Sequence, residues 1–221
     1  MRAAAAAAVR PARNNVTDHP IEKTGPGEYT LPAFWTEVGK KDISVLRRQM
    51  RGRKFDASAV IAAARRCSHG CPQIIVSSPV SAFGVPFPTI FWLTCPFLDH
   101  RCGELESEQR ISVLEAFFAA MPSAVEKMHQ DYAALRLALI GGRKSPVLSG
   151  MSEGMRRVLT ESGVGGINWR EARQAVKCLH LQTATWLGMG AHPAGAWLAE
   201  KLGALDCADG RCLKTPADPC S

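Results

Sequence analysis

The chain reads as an α+β protein in which a small antiparallel β unit, a hairpin, is followed by a helical unit. Three observations predict this. Residues 72–76 and 87–93 are short β-favouring runs separated by Pro79, Gly84 and Pro86, which is the pattern of two strands with an irregular connection. Beyond residue 110, apolar side chains recur every three or four positions, as on one face of a helix. Hydrophobic residues make up 46% and charged residues 21% of the 221, enough for a real core and incompatible with a disordered or fibrous chain. The longest stretch without Asp, Glu, Lys or Arg, residues 67–98, is broken by five prolines, which excludes a membrane span there.

The elements follow in order. Residues 1–9 are almost all alanine, a weak core for a secretory signal, and residues 14–39 carry scattered Pro and Gly without periodicity. Residues 1–39 are therefore expected as a flexible arm, 40–204 as a single α+β domain and 205–221 as a loose tail. Asp42 is a fair N-cap for a short helix over 43–51, with Ile43, Leu46 and Met50 on one face. Residues 60–66 are apolar and alanine-rich and suit either a helix or a strand. Ile111, Leu114, Phe117, Phe118 and Met121 mark a helix that Pro122 stops. Ser123 with Glu126 has the capping-box spacing ahead of Val125, Met128, Tyr132, Leu135 and Leu139. Asn168 with Glu171 repeats it ahead of a stripe running from Trp169 through Val176, Leu179 and Thr183 to Trp186. That stripe ends near Gly188 and Gly190, and a last short helix follows Pro193 through Leu202.

Formal charge is +7, and the whole excess lies between Lys40 and Arg66 (residues 40–66), where nine basic residues face only Asp42 and Asp56. Such a stripe suits an acidic protein or a nucleic acid. Its plainer reading is a solvated helix face. Phe55 is the only aromatic residue there, so no stacking platform for single strands is visible.

Several motifs fail on inspection. The run from Gly141 to Ser145 lacks the glycines of a phosphate-binding loop, and Gly163 to Gly166 has no strand before it. Neither a His-Glu-x-x-His helix nor a Gly-x-Ser-x-Gly elbow is present. Glu104, Glu106 and Glu108 read as a solvated helix start.

Eight cysteines without a secretory signal point to a reducing, cytoplasmic setting, where thiols bind metal or react more often than they pair. Cys67, His69 and Cys71 fall within five residues, Cys95 follows the second β run, and Cys178 and His180 form a third group. The set expected to bind metal, zinc above all, is Cys67, His69, Cys95 and His180, with Cys178 and Cys71 in reserve. An iron–sulfur cluster is the alternative cofactor. In mid-helix, Cys178 and His180 would sit about 200° apart and could not share one ion; His180 flanks the apolar seam and Cys178 faces away. Four protein ligands would make a structural site, and three plus water a hydrolytic one. The competing readings are packed structural cysteines, or an enzyme with Cys95 or Cys178 as a nucleophile activated by a histidine.

Arg66-Cys67, Pro86-Phe87-Pro88-Thr89, Leu93-Thr94-Cys95-Pro96, Leu105-Glu106, Gly165-Gly166, Val176-Lys177-Cys178-Leu179-His180 and Pro193-x-Gly195 occur in this order. The series resembles the bacterial family called domain of unknown function 501, over residues 42–197. The resemblance implies a cytoplasmic bacterial protein and brings no established reaction, substrate or partner. Family members often read Arg-Cys-x-Cys-Gly where this chain has Arg66-Cys67-Ser68-His69-Gly70, an exchange that preserves a metal ligand. They also often carry a second histidine four residues after the Cys-Leu-His; here that position is Ala184.

Overall fold

The computed structural model describes residues 23–25, 28, 29 and 31–214, with side chains from residue 31 onward. The alanine-rich start and the chain end with Cys220 lie outside the described residues. A small ribbon, β1 (Lys23–Gly25) and β2 (Glu28–Tyr29), precedes helix α1 (Lys40–Gln49). This helix starts earlier than Asp42 suggests. Gly39 is the N-cap, and Asp42 closes the first turn from inside by accepting the Gly39 N–H (2.9 Å). The same carboxylate pairs with Arg66 at 2.6 Å, which holds it below the usual carboxylate range.

The ambiguous run 60–66 is a strand, β3 (Val60–Arg66), and it pairs antiparallel with β4 (Pro72–Ser77). On the other side of β4 lies β5 (Phe91–Leu93), with Ile75 opposite Trp92. Central β4 is buried along its whole length, as a strand rich in Ile and Val with neighbours on both sides should be. The expected hairpin is therefore present, with β3 added as a third strand.

Helices follow: α2 (Pro96–Ser107), α3 (Arg110–Ala120), α4 (Pro122–Ala138), α5 (Pro146–Ser149), α6 (Glu153–Thr160), α7 (Leu179–Met189), α8 (Gly195–Leu202) and α9 (Arg211–Lys214). The α+β class holds. Pro122 sits at the first position of α4, which Met121 precedes as N-cap; Ser123 makes no cap. Helix α7 lies on the sheet so closely that a Cβ on Gly188 would stand 2.3 Å from the Phe91 ring. Glycine costs a helix about 1 kcal/mol against alanine, and here it permits the helix–sheet contact.

Arg136 of α4 is fully buried and donates to the carbonyls of Leu159 (2.8 Å), Gly163 (3.1 Å), Pro88 (3.2 Å) and Ser162. Burial lowers its pKa to about 10, so it remains a cation. Nearby, His129 Nδ1 accepts the Val164 N–H (3.1 Å). The helix expected from Trp169 onward does not form before Leu179. Trp169 instead stacks on His129 and donates to the Glu161 carbonyl (3.3 Å), with Arg170 over its outer face. Those long-range contacts hold residues 168–177 in turns and irregular backbone, and Lys177 at φ 65° leaves the right-handed region altogether. Local capping propensity yields here to tertiary contacts.

Candidate metal-ligand site between helices α2 and α7

Pro96 at its first position sets the start of α2, with Cys95 as N-cap. Seven residues are close to two helical turns, so Asp99 and Glu106 share one face of α2. That face looks at the start of α7. Cys178 is the N-cap of α7, in extended conformation, and its Sγ accepts the Leu181 N–H (3.4 Å). His180 lies two residues into the first turn. Because Cys178 stands outside the helix, the angular separation that a mid-helix placement would impose does not apply.

Glu106 Oε1 accepts from the backbone of Leu179 (2.6 Å) and of His180 (3.4 Å), and lies 2.9 Å from His180 Nδ1. A carboxylate at a helix N-terminus is stabilised by the free amides and the dipole. His180 Nε2 faces the Asp99 carbonyl (3.1 Å) and Asp99 Oδ1 (3.3 Å). With acceptors at both nitrogens the imidazole carries both protons. Its pKa is raised to about 9, first by the hydrogen bond with Cys178 and then by Glu106 and Asp99, against the opposing effect of burial. Asp99 Oδ2 pairs with Arg53 at 2.7 Å, whereas its Oδ1 is buried without a hydrogen bond.

Glu106, Cys178 and His180 each present one ligand atom, and the three atoms lie within 4.8 Å of one another. All three residues are half-buried. Cys178 and His180 border a cavity of about 350 Å³ walled by Phe91, Trp92, Leu93 and Leu181. Lys177 also lines it and donates from Nζ to the Gly165 carbonyl (2.6 Å). A mixed O, S and N donor set of this kind suits zinc, and three protein ligands leave a fourth position open.

The other residues singled out from the sequence lie elsewhere. Cys67 and Cys71 flank the β3–β4 turn, both buried, while His69 in that turn is exposed, with Nε2 2.9 Å from the Cys207 carbonyl. Cys95 is eleven residues from Glu106 on α2, about 16 Å along the axis. None of these joins the Glu106, Cys178 and His180 group. Glu106 itself was read from the sequence as a solvated acid; its helix face, seven residues after Asp99, is the signal that places it here. Of the nine basic residues in 40–66, Arg53, Arg65 and Arg66 bond within the fold, to Asp99, Gln73 and Asp42 respectively.

A family model described as Protein of unknown function (DUF501) matches residues 63–200. No curated protein and no solved structure matches the chain. Among the described residues, no helix is long and apolar enough to cross a membrane.

Proposed function

The chain belongs to the DUF501 family, whose description assigns no reaction, and we propose from its site that it binds a divalent metal, zinc, through Glu106, Cys178 and His180 and uses it for metal-assisted hydrolysis of a small substrate. The observation that carries this reading is the convergence of three ligand atoms within 4.8 Å, two of their residues facing an adjacent cavity. Bound zinc at three protein ligands supplies Lewis acidity and an acidic water.

The donor set fits. A divalent ion held there would replace one of the two protons of His180, the one on Nδ1 that faces Glu106. Removing that proton at pH 7 costs about 3 kcal/mol for a pKa of about 9, which is small beside the roughly 10 kcal/mol or more of a thiolate-containing zinc site. The Asp99 carbonyl, 3.1 Å from Nε2, orients His180 from the second side.

Elemental analysis of protein purified without added metal tests the reading. One metal equivalent is expected at this site, lost in Cys178→Ser and in His180→Asn. Unchanged metal content in both variants refutes it.

One observation favours a second reading, thiol catalysis: Cys178 caps α7 beside a cationic histidine. Iodoacetamide separates the two. A catalytic thiolate reacts quickly with or without metal, whereas a zinc-bound thiolate is protected until the ion is chelated.

A further inference from the structure

Five of the remaining cysteines gather at the opposite end of α2 from Glu106. Cys67 and Cys71 flank the β3–β4 turn, Cys95 caps α2, and Cys207 and Cys212 come from the C-terminal stretch. All five are buried. Cys67, Cys71 and Cys212 pack as a cluster of their own. Cys67 lies close enough to Cys71, and Cys212 to Cys95, to push the pKa of the Cys71 and Cys95 thiols up. Cys212 Sγ also accepts from Gln49 Nε2 at 3.1 Å.

We propose that Cys67, Cys71, Cys95 and Cys212 form a second metal centre that binds one zinc ion through four thiolates and fastens the C-terminal segment to the β3–β4 turn and to the start of α2. The three-residue gap between Cys67 and Cys71 lies in the range that structural zinc sites use. A tight turn already closes it, with Gly70 N–H on the Cys67 carbonyl (2.8 Å) and Cys67 N–H on the Cys71 carbonyl (2.9 Å). Gly70 at φ 78° supplies the left-handed residue this turn needs.

Charge supports the same set. Four thiols lose four protons on binding Zn²⁺, leaving a net charge of −2 in a buried place. Arg48 acts electrostatically on Cys71, Arg66 on Cys67 and Cys71, and Arg211 on Cys95. Arg48 Nε is buried without a hydrogen-bond partner. Arg66 and Arg211 also pair with Asp42 and Asp209, so Arg48 is the guanidinium left to offset the charge of a thiolate cluster. The sulfurs stand as two pairs and have not closed into a tetrahedron, since among the described residues the Glu106 group alone brings three ligand atoms within 4.8 Å. Closing the site would bring the two pairs together around an ion with bonds of about 2.3 Å.

This centre is independent of the Glu106 site, and the test keeps them apart. Cys178→Ser/His180→Asn protein, purified under reducing conditions without added metal, is expected to retain about one zinc per chain. Adding Cys71→Ser, Cys95→Ser or Cys212→Ser to that background removes it; adding Cys207→Ser does not. Should those variants fold poorly, cobalt(II) is added to the background protein with all its remaining cysteines intact, where intense thiolate-to-cobalt charge-transfer absorption is expected. A background protein that holds no zinc and gives no such absorption overturns the proposal. Loss of zinc on Cys207→Ser with retention on Cys95→Ser overturns the ligand set. A failed Glu106 site shows differently, as identical zinc content with and without the background substitutions.

Discussion

Raising the pH of the metal-free protein tests the electrostatics of His180 directly. Its pKa stands at about 9 in the fold against 6.5 for the free side chain. A raised pKa means that protonated His180 stabilises the native state fully below pH 6.5, and that this contribution disappears as pH rises through about 9. Two and a half pH units correspond to at most about 3 kcal/mol, with its 30% exposed side chain partly screened. The other shifted histidines act in a different window. Burial lowers His129 to about 4 and His192 to about 3, so what they contribute is complete above pH 6.5 and lost as pH falls towards those values. Buried Cys71, Cys95 and Cys102 have raised pKa values and lose their contribution only above the ordinary thiol value of 9.0. Cys212, whose pKa the Cys95 thiol lowers, gains stability as pH rises towards 9.0, so between pH 6.5 and 9 the decline belongs to His180 and Cys212 opposes it. Urea unfolding in EDTA and reductant, measured at intervals across that range, should show a decline in the native chain that is absent in His180→Gln, where only the opposing rise from Cys212 is left. Equal slopes in the two proteins refute the assignment. With zinc present the dependence reverses, because the ligand must be neutral, and affinity should rise at least about tenfold per pH unit below pH 9.

Three other outcomes follow from the packing and the surface. Gly188→Ala drives a methyl group into the Phe91 ring and should destabilise by about 1–3 kcal/mol in thermal melts, since neither helix nor sheet can withdraw easily. Arg136→Met takes the guanidinium donor from the carbonyls of Leu159 and Ser162; a loss of about 3 kcal/mol or more is expected in urea, and a neutral result would mean that water replaces the guanidinium. If the basic stripe binds polyanions, exposed Lys40, Lys41, Arg47 and Lys54 carry the contact, so reversing them to Glu should abolish salt-sensitive retention on heparin, and unchanged retention removes that function.

The β unit was legible because its signals are local. Ile74, Ile75 and Val76 favour a strand wherever they are placed, and Pro79, Gly84 and Pro86 can only interrupt one. The candidate site was half legible. Cys178 and His180 stood out as ligand types, yet the continuous stripe from Trp169 to Trp186 suggested one helix and set them back to back. What breaks that helix is Trp169 against His129, forty residues away, together with the left-handed Lys177; neither is written in local propensity. Glu106 was hidden for a related reason. Its partnership with His180 depends on α2, whose one sequence signal, Pro96 after Cys95, marks where a helix starts and gives no account of what it faces. Cys207 and Cys212 looked like tail residues because burial at a chain end depends on contacts more than a hundred residues away in sequence.

Helix α2 is the element that relates the two clusters mechanically. Its N-cap, Cys95, lies close to Cys212 through its thiol and bonds to the Gln73 carbonyl through its N–H (3.3 Å). Gln73, fully buried in central β4, donates in turn to the Leu205 carbonyl (2.6 Å) and to Asp206 Oδ1 (3.2 Å). The C-terminal stretch, the middle strand and the head of α2 are thus joined at one point. Two turns along the same rigid helix separate Asp99 from Glu106, and His180 is held between them. A helix resists stretching, so any axial slide at Cys95 arrives almost whole at Glu106. A slide of about 1 Å along the line of the 2.9 Å contact between Glu106 and His180 would stretch it beyond hydrogen-bond range. The C-terminal cysteines therefore need not touch the cavity to affect it, because the register of α2 carries their position to the ligand atoms.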